Sequence, residues 1–121
     1  MAGTVTFTET VHGSVKKIEV AWTSTAGGAA DGTSSFVYDG RLIAVTTVPG
    51  AAGDAPDANY DITLTDSGGD DVLLGQGANR HTSNTEYLLE ANLGAVAASK
   101  LTLNVAAAGS ANSGTVVVWL R

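Results

Sequence analysis

The N-terminal segment TVTFTETV alternates with a period of two, and this pattern limits what the chain can fold into. Threonines occupy the even positions, and Val5, Phe7 and Glu9 lie between them. Successive side chains of a β-strand point to opposite sides, so the alternation places one set on each face. A second alternating run, VKKIEVAW at 15–22, follows a predicted turn at 12–13. The two runs are predicted to form a β-hairpin.

Further strand signals recur along the chain between loops rich in glycine, alanine and aspartate. The predicted strands are 36–38, 41–48, 60–65, 72–74, 100–107 and 114–120. The pair Asp39-Gly40 separates two apolar runs, and Asp-Gly pairs favour the tight turns of hairpins. The last two predicted strands are expected to form a closing hairpin.

One segment favours a helix instead. Ser83-Asn84-Thr85-Glu86 matches a capping box ahead of Tyr87-Leu88-Leu89, which predicts one or two helical turns. The fold class predicted from the whole pattern is all-β, an antiparallel β-sandwich or barrel of about seven or eight short strands with at most one short helix. A length of 121 residues predicts a single β domain over 1–121, with 1–10 as an N-terminal arm or edge strand.

Composition argues against several classes of partner. The formal charge of −6, from 12 acidic and 6 basic residues, disfavours nucleic-acid binding, which depends on lysine and arginine at phosphates. No stretch approaches the roughly 20 apolar residues that cross a bilayer, and no signal peptide is recognised, so we expect a soluble protein. There is no cysteine, hence no disulfide and no thiolate nucleophile. Charged residues are only 15% of the chain, and the neutral threonine-rich surface this implies is common where subunits pack together.

The acidic stretch DSGGDD at 66–71 invites a calcium-site hypothesis. An EF-hand loop beginning at Asp66 needs oxygen ligands at its third, fifth and twelfth positions and glycine at its sixth. The sequence supplies Gly68, Asp70, Gly77 and Asp71 there, so only one of the four positions fits. The glycine-aspartate repeat of calcium-binding β-rolls is matched by one imperfect copy, whereas such folds stack several. We therefore predict an acidic glycine turn between strands, with no metal and no cofactor.

Catalytic signals are weak. His81 lies near Arg80 and Glu86, and His12 falls in the first turn, but no nucleophile-elbow pattern accompanies them. Both histidines are expected to be solvated loop residues, and the protein is not expected to be an enzyme. Trp22 and Trp119 lie on strands at apolar positions, which predicts core packing, with a sugar-binding platform as the alternative.

Four segments together resemble a known class of proteins. VKKIEVAW, RLIAVTTVPG, YDITLTDSGGDDVLLGQGANR and KLTLNVAAAGSANSGTVVVWLR occur in this order over residues 15–121. They resemble small structural proteins of tailed bacteriophages and prophages, and the match at 60–80 is the most specific. Within that class, the chain looks like a head decoration, or capsid cement, protein.

The resemblance implies a structural role without catalysis. A decoration protein binds the major capsid protein on the capsid exterior, stabilises the virion and commonly forms a homotrimer. It is made in the bacterial host cytoplasm. The alternative is a phage tail or fibre-associated β binding module that recognises a host surface glycan. For the oligomer or capsid interface, the alternating N-terminal strand suggests a set of five residues. These are Thr4, Val5, Thr6, Phe7 and Thr8.

Overall fold

The computed structural model describes residues 3–121, which form nine β-strands and two 3-10 helices of three residues each. The strands are β1 (Thr4–His12), β2 (Val15–Thr23), β3 (Ala30–Thr33), β4 (Tyr38–Pro49), β5 (Asp61–Thr65), β6 (Glu86–Leu89), β7 (Ala95–Ser99), β8 (Thr102–Ala106) and β9 (Ser113–Leu120). The 3-10 helices are Ala52–Asp54 and Glu90–Asn92. The predicted all-β class is confirmed, with more strands than the seven or eight expected.

Two antiparallel sheets curl into a half-barrel. The large sheet has the order β1-β2-β9-β4-β6, and β7 pairs with the first part of β4. The small sheet has the order β3-β8-β5. β1 and β2 form the predicted hairpin, in which Thr4 pairs with Thr23 and His12 pairs with Val15. The period-two pattern was sufficient to find this hairpin because both strands have one face in the core and one outside.

The core lies between the sheets and contains side chains from both. β2 contributes Ile18, Val20 and Trp22, each at most 2% exposed. β9 lies between β2 and β4 and is a nearly continuous apolar run, in which Val116, Val118 and Leu120 belong to the core. From the small sheet, Ile62 and Leu64 on β5 are buried in the same cluster.

The free edge of β5 is covered by the loop that follows it. Ile62 N–H donates to Gly77 O at 2.9 Å, and Arg80 N–H donates to Tyr60 O at 2.7 Å. The loop over 76–80 therefore takes the place of a fourth strand and protects an edge that would otherwise invite pairing.

The hairpin predicted at Asp39-Gly40 is wrong. Both residues lie inside the continuous strand β4, where the register with β7 shifts between Tyr38 and Gly40. Gly40 has φ +130°, a conformation that favours glycine, so the signal marks a β-bulge rather than a turn. The Asp39 carboxylate accepts a hydrogen bond from Ala98 N–H on β7, which holds the bulge.

The closing hairpin is also wrong. β8 lies at the centre of the small sheet, whereas β9 lies in the large sheet. The loop 107–112 between them crosses from one sheet to the other, and Asn112 Nδ2 donates to Ala108 O at 2.7 Å within it. Two apolar strands joined by a short loop look the same in sequence whether they pair with each other or face each other across a core.

The helix predicted after the capping box does not form. Glu86–Leu89 is strand β6, and Leu88 is buried between two exposed neighbours. Instead of reaching back to Ser83, the Glu86 carboxylate accepts from His81 N–H at 2.7 Å. The predicted strand 72–74 is likewise wrong, since those residues form turns after an isolated bridge between Thr65 and Asp71.

Candidate assembly surface

On the side turned away from the core, the large sheet presents a broad surface, and we call the central part of this surface the outer face. The outer face is defined as three cross-strand rows of paired residues. The rows are Thr10, Lys17, Trp119, Ala44 and Leu89; Thr8, Glu19, Val117, Thr46 and Tyr87; and Thr6, Ala21, Thr115 and Val48. Apart from one lysine and one glutamate, the outer face consists of uncharged residues.

The five residues predicted for an interface lie in two different environments in the structure. Thr4, Thr6 and Thr8 are exposed on the outer face side of β1. Val5 and Phe7 point the other way and are partly buried against the core. A Cβ on Gly32 would lie 2.7 Å from Val5 Cβ, so β3 packs closely beneath this strand. Within residues 3–121, β1 pairs with β2 alone, and its other edge is free for a partner.

An aromatic patch, defined as Tyr87, Leu89 and Trp119, lies at the opposite side of the outer face. The Tyr87 and Trp119 ring centroids are 6.2 Å apart with an interplanar angle of 31°. Tyr87 and Leu89 are each 61% exposed. The sequence analysis did not predict that Tyr87 and Leu89 are exposed strand residues, because the capping box favoured a helix there. Within EYLL, Leu88 is buried and its two neighbours are exposed, as in a strand.

Trp119 was expected in the core, and that prediction is wrong. Its ring lies on the outer face beside Tyr87, whereas Trp22 is buried as expected at 2% exposure. Trp22 packs against Tyr60, with ring centroids 5.6 Å apart and an interplanar angle of 44°. Burial raises the pKa of Tyr60 to about 12, with a smaller contribution from Glu86. The nearby Thr47 hydroxyl lowers the pKa of Tyr60 in part, although the hydroxyls of Thr47 and Tyr60 do not meet the geometry of a hydrogen bond.

Glutamates and aspartates differ in whether they form ion pairs. Four ion pairs occur in the described chain, and they involve all four glutamates: Lys16 with Glu9, Lys17 with Glu19, Arg41 with Glu90 and Arg80 with Glu86. None of the eight aspartates in residues 3–121 forms an ion pair, and none belongs to the three rows of the outer face. The net negative charge therefore lies away from the outer face.

Several aspartates bind backbone N–H groups of the chain itself. In the segment 66–71, which was considered as a calcium site, Asp66 Oδ1 accepts hydrogen bonds from Gly68 N–H at 2.9 Å and from Asp70 N–H at 3.0 Å. Asp71 accepts from three backbone N–H groups at 3.0 to 3.2 Å. These belong to Leu64, Leu73 and Gly75. Carboxylates used in this way fix a turn, as aspartate does in many loops.

Replacing Asp71 with alanine is expected to lower the free energy of unfolding by about 2 kcal/mol, because three backbone donors lose a charged acceptor. Asp70→Ala is the matched control, since the Asp70 carboxylate makes no hydrogen bond within the described chain. Urea unfolding measures both changes. Calcium is expected to leave the wild-type Tm unchanged, and a calcium-dependent rise in Tm that Asp71→Ala removes would contradict the turn interpretation.

His81 organises the loop that leads into β6. Its Nδ1 atom accepts from Ser83 N–H at 3.0 Å and from Asn84 N–H at 2.9 Å. Both bonds require an unprotonated Nδ1. Glu86 accepts from the backbone N–H of His81 and pairs with Arg80 at 3.5 Å. The predicted solvated histidine is exposed, but it also has a structural role.

We expect His81→Ala to weaken this turn, because the amides of Ser83 and Asn84 lose the acceptor that the ring provides. Hydrogen exchange at the amides of 83–84 measures the effect. Their protection should fall several-fold in His81→Ala and less in His81→Asn, which keeps a side-chain acceptor. Equal protection in the wild type and both variants would refute the prediction.

Other site chemistries find little support in the described residues. Among residues 3–121, no three His, Asp or Glu side chains come together as a group that could hold a metal ion. No helix within this range has the length and apolar character needed to span a membrane. A shallow depression of about 380 Å³ lies on the outer face between β1 and the end of β4, lined mainly by small residues. Its position beside Thr4 and Thr6 makes it part of the same surface.

Comparisons with protein-family models, with curated proteins and with solved structures find no match to this chain.

Proposed function

We propose that the protein is a structural virion protein that binds the outer surface of a tailed-phage capsid and stabilises it. The observation that carries the proposal is the outer face, whose only two charges, Lys17 and Glu19, lie 3.6 Å apart and balance each other. A protein that reinforces a lattice needs a broad contact surface rather than a cleft. The sequence resemblance to phage decoration proteins supports the same assignment.

The contact is expected to involve β1. Thr6 and Thr8 belong to the outer face, and Thr4 is exposed on the same side of β1, next to a strand edge that can accept a partner strand. Val5 and Phe7 support this strand from the core side. Partners in this proposal are the major capsid protein and further copies of the chain, as a homotrimer on the capsid exterior. No nucleic acid, membrane, metal or cofactor is involved.

Cosedimentation with capsids that lack the protein tests this role. Substituting Thr4→Lys and Thr6→Lys together is expected to abolish binding, because both place an unpaired charge on the exposed side of β1, opposite the uncharged Thr23 and Ala21. The control is Ser35→Lys with Ser110→Lys, which adds the same charge at exposed loop positions. These substitutions test the contact more specifically than deletion of residues 2–8, because the deletion would also remove Val5 and Phe7, which pack against the core. Unchanged binding by the β1 variant would refute the β1 contact, and absence of the protein from purified virions would refute the function.

The second candidate is a phage tail or fibre-associated β module that recognises a host surface glycan. The aromatic patch favours it, because exposed aromatic rings can stack on the apolar faces of sugars. Trp22 cannot take part, since it is buried. A monomer that binds host glycans in a calorimetric titration, with binding lost in Trp119→Ala, would favour this function over decoration.

A further inference from the structure

A second free strand edge lies at the side of the large sheet opposite β1. β6 (Glu86–Leu89) is the terminal strand there and pairs with β4 along one edge. In the part of the chain that the structure describes, no backbone hydrogen bond reaches its other edge. Such an edge presents N–H and C=O groups that can pair with another chain.

The side chains of β6 make this edge apolar on its outer side. Tyr87 and Leu89 are each 61% exposed, while Leu88 between them faces the core at 7% exposure. Trp119 extends the apolar area inward from the edge. A partner strand added here would cover two large apolar side chains in addition to forming backbone hydrogen bonds.

Charges at the two ends of β6 are balanced. Arg80 pairs with Glu86 at the start of the strand, at 3.5 Å, and Arg41 pairs with Glu90 just beyond its end, at 3.4 Å. The eight aspartates, which carry the unpaired negative charge, lie elsewhere in the described chain. Two copies of a chain with net charge −6 can therefore meet at this edge without strong like-charge repulsion.

We propose that two copies of the chain associate through antiparallel pairing of their β6 edges around a twofold axis at Leu88. In this register, Tyr87 of one copy lies opposite Leu89 of the second copy, and the reverse pair forms on the other side of the axis. Opposing residues share a face, so a register slip of one residue would set exposed side chains against buried ones. In the same register, Glu86 of one copy lies opposite Glu90 of the other, and the paired Arg80 and Arg41 offset the repulsion between these two carboxylates.

A second copy is the occupant that this edge fits, because a twofold contact must be self-complementary. The apolar centre meets an apolar centre, and each end meets an end that carries one arginine and one glutamate. The contact does not depend on capsid binding. It uses the edge opposite β1, so both contacts can exist in one assembly.

Sedimentation velocity over a range of protein concentrations tests the contact. The wild-type protein is expected to associate as concentration rises, and Leu89→Lys is expected to lose this step because it adds an unpaired charge at the centre of the contact. Leu74→Lys is the matched control: it changes a leucine that is 59% exposed outside β6. A wild-type protein that stays monomeric throughout, or equal association by Leu89→Lys, would overturn the proposal. So would loss of all association in Thr6→Lys alone, which would assign it to β1.

Disulfide trapping tests the register and does not depend on how Leu89→Lys folds. The chain has no cysteine, so introduced thiols are the sole ones present. A mixture of Tyr87→Cys and Leu89→Cys proteins is expected to form a covalent heterodimer on oxidation, since these positions face each other. Either variant alone should cross-link much less. No cross-link in the mixture, or equal cross-linking by a single variant, would overturn the twofold pairing at Leu88.

Discussion

Replacing Trp22 with alanine is expected to lower the free energy of unfolding by about 3–5 kcal/mol, the usual cost of removing a large buried aromatic side chain. Trp22 is 2% exposed and packs against Tyr60 between the two sheets. Its ring also lies against Gly114, where a Cβ would come within 2.7 Å of the indole. The cavity left by alanine is lined by strands of both sheets, which cannot close without shifting against each other. Urea unfolding followed by circular dichroism measures the loss.

Trp119→Ala provides the matched control, because Trp119 is the other tryptophan and lies on the outer face. We expect it to cost about 1 kcal/mol, in the range of ordinary substitutions at partly exposed positions. Equal losses for the two variants would contradict the placement of Trp22 inside and Trp119 outside.

Replacing Gly77 with alanine is expected to destabilise the fold by about 3 kcal/mol, because it forces extra volume into a closely packed contact. A Cβ at Gly77 would lie 2.1 Å from Ile62 O and 3.0 Å from Leu73 Cδ1. The first of these atoms belongs to the β5 backbone, so it cannot turn aside as a side chain can. Relief requires the covering loop to move off β5, which also breaks the bond from Ile62 N–H to Gly77 O.

Gly53→Ala is the control for this variant, since no atom outside the adjacent residues lies within 4 Å of a Cβ placed there. Its effect is expected to stay within about 0.5 kcal/mol. Hydrogen exchange should show the loss of protection in Gly77→Ala concentrated at Ile62 and the rest of β5. Thermal unfolding of Gly77→Ala at the wild-type Tm would show that the loop does not cover the β5 edge as described.

The sequence predicted the fold best where a strand has one face in the core and one outside. The β1–β2 hairpin is the clear case, since the alternation in 4–12 and 15–23 places Ile18, Val20 and Trp22 on the buried side. Fold class followed from several such segments. Strand pairing did not, because β8 and β9 are apolar strands joined by a short loop, as in a hairpin, but contribute to different sheets.

Local turn chemistry was ambiguous for a physical reason. Asp39-Gly40 occurs both in tight turns and in bulges, because glycine serves any position with positive φ. The capping box at Ser83 and Glu86 failed for a similar reason. Glu86 contacts Arg80 and His81 instead of Ser83. Leu88 and Leu89 pair with residues of β4. Tertiary contacts decided both outcomes.

The candidate surface could be predicted in part. Alternation identified β1 as a strand, and the structure places Thr4, Thr6 and Thr8 on its exposed side. Whether these residues form an interface is still a prediction. The aromatic patch could not be assembled from sequence, because Tyr87 and Trp119 are far apart in the chain and meet only through the pairing of β4 with β6 and β9.

Electron cryomicroscopy of virus particles purified from cells that carry the gene for this chain tests the decoration proposal most directly. The proposal predicts density for the nine-stranded domain at repeated positions on the capsid exterior, with the outer face or the β1 edge against the major capsid protein. Density confined to the tail or its fibres, or particles without this protein, would contradict it.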